Sequence, residues 1–209
     1  MARYTNAKCK LCRREGKKLY LKGKRCYTAK CPVEKKGAVP PGEPPKRRSR
    51  ITDYGVRLRE KQKLKRTYGV LENQFRRYIR EAEKKQKQSE FGVALQQILE
   101  TRLDNIVRRL GFCWSLNQAR QLVRHGHILI DNKRIDIPSY NVRVGQKITL
   151  APTALNLFNV QEALKNFPRE NIPSWLLREE SYGKIERLPE KEDFGAEFNI
   201  SLVVEYYSR

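Results

Sequence analysis

The chain has 209 residues, 45 Lys and Arg against 23 Asp and Glu, a net charge of +22 and 39% hydrophobic residues. That length allows one or two domains with a modest, divided core. So lopsided a charge destabilises a folded chain by self-repulsion unless a polyanion neutralises it. Nucleic acid is therefore the expected partner. An anionic membrane is not, because no apolar run approaches the ~18 residues of a span. MARYTNAKCK lacks the apolar core of a secretory leader.

Residues 1–35 place Cys9, Cys12, Cys26 and Cys31 among basic residues, with too little apolar content to fold by burial alone. The pattern C-x2-C-x13-C-x4-C gives two close pairs separated by a loop, the arrangement a tetrahedral four-thiolate site requires. Neighbouring lysines and arginines favour the thiolate form. Zinc is the first choice because it makes no redox demand, and an iron–sulfur cluster uses the same ligand set. Free thiols or two disulfides are the other states, disulfides being disfavoured in a chain without secretory signals. With every position a cysteine, such a metal would be structural. Cys113, beside Trp114, reads as a buried thiol and not a fifth ligand.

Lys36–Arg50 holds four prolines and ends in a basic run, an extended connector. Helix is expected from Thr52 or Asp53, with Tyr54, Leu58, Leu64 and Tyr68 on one side, cations around it and Gly69 after its end. A second helix would bury Phe75, Ile79 and Ala82 and expose Arg76, Arg77 and Arg80. Leu95 to Leu110 continues as one or two bent helices. Ser115, followed three residues later by Gln118, has the spacing of a capping box. The helix it starts buries Leu116, Ala119, Leu122 and Val123, and Arg120 and Arg124, four apart, should project together from another face. Gly126 would close that helix. Ile128, Ile130, Ile135 and Ile137 alternate around an Asp131-Asn132 turn, a hairpin pattern. Further strands are expected at Asn141–Val144, Lys147–Leu150, Trp175–Arg178, Lys184–Leu188 and Ile200–Tyr207, and one helix over Thr153–Phe167. The fold class is α+β: a four-cysteine metal knuckle and helical domain, then a helix-helix-hairpin module with a small mixed sheet.

TRLDNIVRRLGFCWSLNQARQLVRHGHILIDNKRIDIPSY resembles the RNA-binding module named after small-subunit ribosomal protein four. CKLCRREGKKLYLKGKRCYTAKC, DYGVRLREKQKLKRTYGVLENQFRRY and the closing VVEYYSR resemble, in order, the cysteine-containing, zinc-binding branch of that bacterial family. The resemblance implies a structural protein of the cytoplasmic ribosome with no enzymatic activity. It would bind the 5′ domain of small-subunit ribosomal RNA, nucleate subunit assembly and influence translational accuracy. Ribosomal protein five and messenger RNA, where it enters, would lie nearby; some family members also repress their own operon. The implied division is 1–35 knuckle, 36–50 connector, 51–98 helical domain with 176–209 packing back on it, and 99–165 RNA-binding module.

The module's RNA-facing residues, carried over by position, are Gln118, Arg120, Gln121, Arg124, His125, His127 and Ser139. The other basic residues expected at RNA are Arg3, Arg13, Arg14, Lys22, Arg25, Arg47, Arg48, Arg50, Arg57, Arg59, Lys61, Lys63, Arg66, Arg76, Arg102, Lys133 and Arg134. Guanidinium groups suit phosphate because each can donate two parallel hydrogen bonds. Three positions depart from the family: Leu116 replaces an arginine, Asp131-Asn132 replaces Asn-Gly, and Glu43-Pro44-Pro45 replaces His-Gly-Gln.

Two other readings are weaker. Arg102-Leu103-Asp104 matches the aspartate context of pseudouridine synthases, but the residues after it continue a helical stripe. A zinc-containing DNA regulator would need a base-reading helix and usually a dimer seam.

Overall fold

The computed structural model describes residues 3–43, 50–85, 90–179 and 182–208. They form two compact units, Leu95–Gly195 and a discontinuous one made of Met1–Ala94 with Ala196–Arg209. Arg47 and Arg48, and most of the Glu43-Pro44-Pro45 departure, lie outside the described residues. Among the described residues no helix is long and apolar enough to cross a membrane.

The discontinuous unit holds helices α1 (Lys8–Glu15), α2 (Pro32–Lys36), α3 (Asp53–Thr67), α4 (Glu72–Lys85) and α10 (Ile200–Tyr207); α5 (Phe91–Glu100) begins in it. The Thr52 hydroxyl caps α3 by accepting from the Gly55 N–H at 3.1 Å. Gly69 ends it at φ 59°, its N–H donating to Arg66 O at 3.1 Å while Val70 N–H donates to Lys65 O at 3.1 Å. This is a Schellman closure, which needs the left-handed residue that glycine supplies. Phe75, Ile79 and Ala82 of α4 are buried. α10 docks along α3, and Cys12, Leu19 and Leu21 make a small separate core under α1.

The second unit packs α6 (Leu103–Arg109), α7 (Leu116–Arg124), α8 (Pro152–Leu155) and α9 (Phe158–Asn166) with a five-stranded sheet. Its strands are β1 (Ile128–Ile130), β2 (Lys133–Arg134), β3 (Lys147–Leu150), β4 (Leu176–Arg178) and β5 (Tyr182–Ile185), in the order β2-β1-β3-β5-β4. Leu103, Ile106, Val107 and Leu110 of α6 meet Ala119, Leu122 and Val123 of α7, and Ile128, Ile148 and Ile185 come from the sheet. Trp175, 1% exposed, heads the largest buried side chains.

Five expectations are corrected. Every pairing in the sheet is antiparallel, so it is not mixed. β4 and β5 extend the module's sheet through β3, with Leu176 and Ile185 inward, so 176–195 falls in the sheet unit and the chain from Ala196 in the discontinuous one. Ile200–Tyr207 is a helix, because the Asn199 side chain caps it by accepting from Leu202 N–H at 3.4 Å. Its β-branched content resembles a strand's, but docking on α3 overrides that propensity. Residues 153–167 break at Asn156, giving α8 and α9, and Asn141 makes only an isolated bridge to Arg102.

Candidate nucleic-acid interface

α7 is set by local chemistry at both ends. Ser115 Oγ accepts from Gln118 N–H at 3.3 Å, and Gln118 Oε1 reaches back to Trp114 N–H at 3.2 Å. This reciprocal cap uses the amide one residue before the usual one. At the other end Gly126, at φ 68°, donates to Val123 O, and His127 N–H donates to Leu122 O, both at 2.9 Å. Leu116, Ala119, Leu122 and Val123 all face the core.

The hairpin follows at once. Asp131 and Asn132 have φ of 48° and 65°, the two left-handed residues a two-residue turn of this hand requires. Asp131 offsets its strain with its carboxylate, which accepts from Lys147 N–H at 2.9 Å and Gln146 Nε2 at 3.1 Å. Arg134 folds back from β2, its Nη2 donating to His125 O at 2.7 Å, and its guanidinium lies over Gly126. A Cβ at Gly126 would come within 1.7 Å of Arg134 Nε, so the hairpin and the end of α7 are closed on each other through that glycine.

The result is a polar strip on which Gln121, Arg124, His125, Lys133 and Arg134 are exposed and His127 and Ser139 half-buried. The rings of His125 and His127 lie 6.1 Å apart. Burial, then the charges of His125 and Arg134, hold His127 below the usual imidazole range, which favours the neutral ring. Among the described residues Arg124 has only a loose contact with Asp136 at 3.9 Å. Such a strip offers arginine and lysine for phosphate and neutral imidazole for hydrogen bonding.

Arg120 does not share the strip. It is 7% exposed and lies 3.8 Å from Asp104, which is fully buried and takes two bonds from Arg102, at 3.0 and 2.6 Å. Asp104 is thus a counter-ion between two arginines, which also removes the enzymatic reading of Arg102-Leu103-Asp104. The cations of α3 are similarly engaged. Arg57 bonds Glu205 of α10, Arg59 and Arg66 bond Glu15 of α1, and Lys61 bonds Glu72 of α4 at 2.8 Å, while Lys63 bonds Glu60 within α3. Lys61 and Lys63 are buried, so acids from α4 and from α3 itself make this cationic helix packable. Arg13 donates to Val39 O and Pro40 O, tying the start of the connector to α1 while residues 36–40 stay exposed. Arg3, Arg14, Lys22, Arg25, Arg50 and Arg76 remain exposed.

A cleft of about 630 Å³ on the cysteine segment is lined by Lys24, Arg25, Thr28, Lys30, Pro32, Lys35 and Lys36. The sequence reading singles out only Arg25 here; basic residues flanking Cys26 and Cys31 are the signal it passes over. All five cysteines are free thiols, with Cys12, Cys26 and Cys31 buried and Cys9 half-buried. Among the described residues no three Cys, His, Asp or Glu side chains form a metal-holding group. Burial pushes the Cys12 thiol up, a bond from Leu19 N–H opposes it, and Cys26, Cys9 and Cys31 add to the rise. Cys26 is raised by burial against a bond from Lys22 N–H, 3.4 Å from its sulfur. Cys113, wholly enclosed, is pushed by burial up to about 12 and stays protonated.

Residues 3–100 match the family described as ribosomal protein S4/S9 N-terminal domain, and residues 101–148 match the S4 domain. Small ribosomal subunit protein uS4 of Dictyoglomus turgidum is 49% identical over the whole of both chains. The protein of that name from Thermus thermophilus is 48% identical, again over 100% of each.

Proposed function

The chain belongs to the uS4 family of small-subunit ribosomal proteins, and we infer that it is a structural, non-enzymatic component of the small ribosomal subunit that binds ribosomal RNA. The observation that carries this is the exposed strip of Arg124, His125, Lys133 and Arg134, built by the same α7–hairpin closure that the S4 domain match covers. Its site is the ribosome in the cytoplasm. The RNA it holds is the 5′ domain of small-subunit ribosomal RNA, where it nucleates assembly. Contact with ribosomal protein five, near incoming messenger RNA, gives it an influence on translational accuracy. Affinity comes from phosphate contacts and specificity from the folded shape of the RNA. Filter binding to small-subunit ribosomal RNA at graded salt tests this: replacing Arg124, Lys133 and Arg134 together by alanine should weaken binding by about tenfold or more. Unchanged affinity would remove the strip from the interface.

The four cysteines of the N-terminal segment form a structural zinc site in this reading. The donor set supports it: four thiols in the required spacing, three of them buried, sensing one another's charge, with backbone N–H groups at the Cys12 and Cys26 sulfurs. Bound zinc would supply four sulfur bonds in place of the core this segment lacks. An iron–sulfur cluster would use the same ligands. Elemental analysis of the purified chain distinguishes them.

A further inference from the structure

Beyond the strip on the S4 domain, we propose that a cleft between α4 and α10 takes one unpaired nucleotide of the bound RNA, a site that rests on the RNA-binding reading and specifies it further. The cleft encloses about 360 Å³ and is lined by Arg76, Ile79, Arg80, Glu83, Tyr206 and Tyr207. Tyr206 and Tyr207 stand at 80° to each other with ring centroids 5.2 Å apart, so two perpendicular aromatic surfaces make a corner. Ile79, 3% exposed, gives it an apolar floor. Tyr206 is held by the Lys61 ammonium, 4.7 Å from its ring centroid, and by Tyr54 at 5.7 Å, so the corner exists before any ligand arrives.

The rim carries two arginines against one carboxylate, Glu83. Arg76 and Arg80 lie one turn apart on α4; Arg76 is largely exposed, with only a 3.6 Å contact to Glu72, and Arg80 is exposed with no carboxylate partner among the described residues. Aromatic walls that accept a base by stacking, below arginines that hold the adjoining phosphates, are what single-stranded nucleic acid requires. A paired base has both faces occupied by its neighbours and cannot enter.

The test compares the unmodified chain with Tyr206→Leu, Tyr206→Phe and Arg80→Ala on full-length small-subunit ribosomal RNA, by base-specific chemical probing and filter binding. The unmodified chain should suppress the reactivity of at least one unpaired base. Tyr206→Leu should restore that reactivity and Tyr206→Phe should not, because the ring remains. Arg80→Ala, on the solvent side of α4, should weaken binding several-fold and lower the salt slope by about one. The proposal is overturned if no base changes reactivity among these variants, or if the variants lose a neighbouring protein while every base stays protected. Failure of the unmodified chain to bind this RNA would overturn the parent reading and this one with it.

Discussion

Asp104→Asn tests whether the Arg102–Asp104–Arg120 group is a structural counter-ion set. The carboxylate is fully buried, the side chains of Arg102 and Arg120 are 2% and 8% exposed, and the contacts are 2.6 Å and 3.8 Å. Asparagine keeps the shape and one acceptor but leaves two desolvated guanidinium groups without their negative charge. Removing one member of a buried ionic group costs about 3–5 kcal/mol. With a urea m-value of roughly 1.5 kcal/mol/M, the unfolding midpoint should fall by about 2–3 M. Both tryptophans, Trp114 and Trp175, belong to the Leu95–Gly195 unit, so their fluorescence follows this unit alone. Arg120→Met supplies the contrast, because Asp104 keeps its two bonds from Arg102, and it should cost only about 1–2 kcal/mol. A midpoint shift below about 0.5 M for Asp104→Asn, or a larger loss for Arg120→Met, would refute the argument.

Acid should loosen the discontinuous unit through Glu72. Burial pushes this carboxyl up, but bonds from Lys61 and Lys65 outweigh it and hold it at about 2, against an ordinary value of 4.5. Because the folded value is depressed, its stabilisation is complete above pH 4.5 and is lost as pH falls toward 2. Protection of α10 amides from hydrogen exchange should drop across that window, and Glu72→Gln should lack the drop; the same drop in the variant as in the unmodified chain counts against it. Asn132→Ala, forced to keep a positive φ, should destabilise the Leu95–Gly195 unit by about 1 kcal/mol, read as a lower melting temperature. Chelation, or Cys26→Ser, should speed proteolysis within residues 3–35 while leaving tryptophan fluorescence unchanged; a coincident fluorescence transition would contradict independent units.

What the sequence makes legible is mainly what neighbouring residues decide. Thr52, Ser115 with Gln118, and Gly126 act within one turn of chain, and each works as its local pattern indicates. Asp131-Asn132 is also local, although its rescue by Lys147 N–H comes from another strand. Arg120 illustrates the opposite case. Its spacing from Arg124 is a true helical neighbourhood, but which of the two meets solvent depends on Asp104, carried by a different helix. The lysines and arginines of α3 hide for the same reason, since Glu15, Glu72 and Glu205 arrive from α1, α4 and α10. Charge counts cannot separate a cation spent on folding from one left for RNA. Val203 and Val204 mislead differently, because β-branched residues in a short segment favour strand until a partner helix is known.

The closing position of α10 has a consequence for biosynthesis. Leu95–Gly195 is contiguous and can finish folding as soon as it emerges, whereas α3 waits for its covering helix until Ile200–Tyr207 is made. Until then, the lysines and tyrosines that α10 seals stay open to solvent and to chaperones. Chains arrested before Ala196 should therefore be cut by protease within α3 but resist it across the sheet.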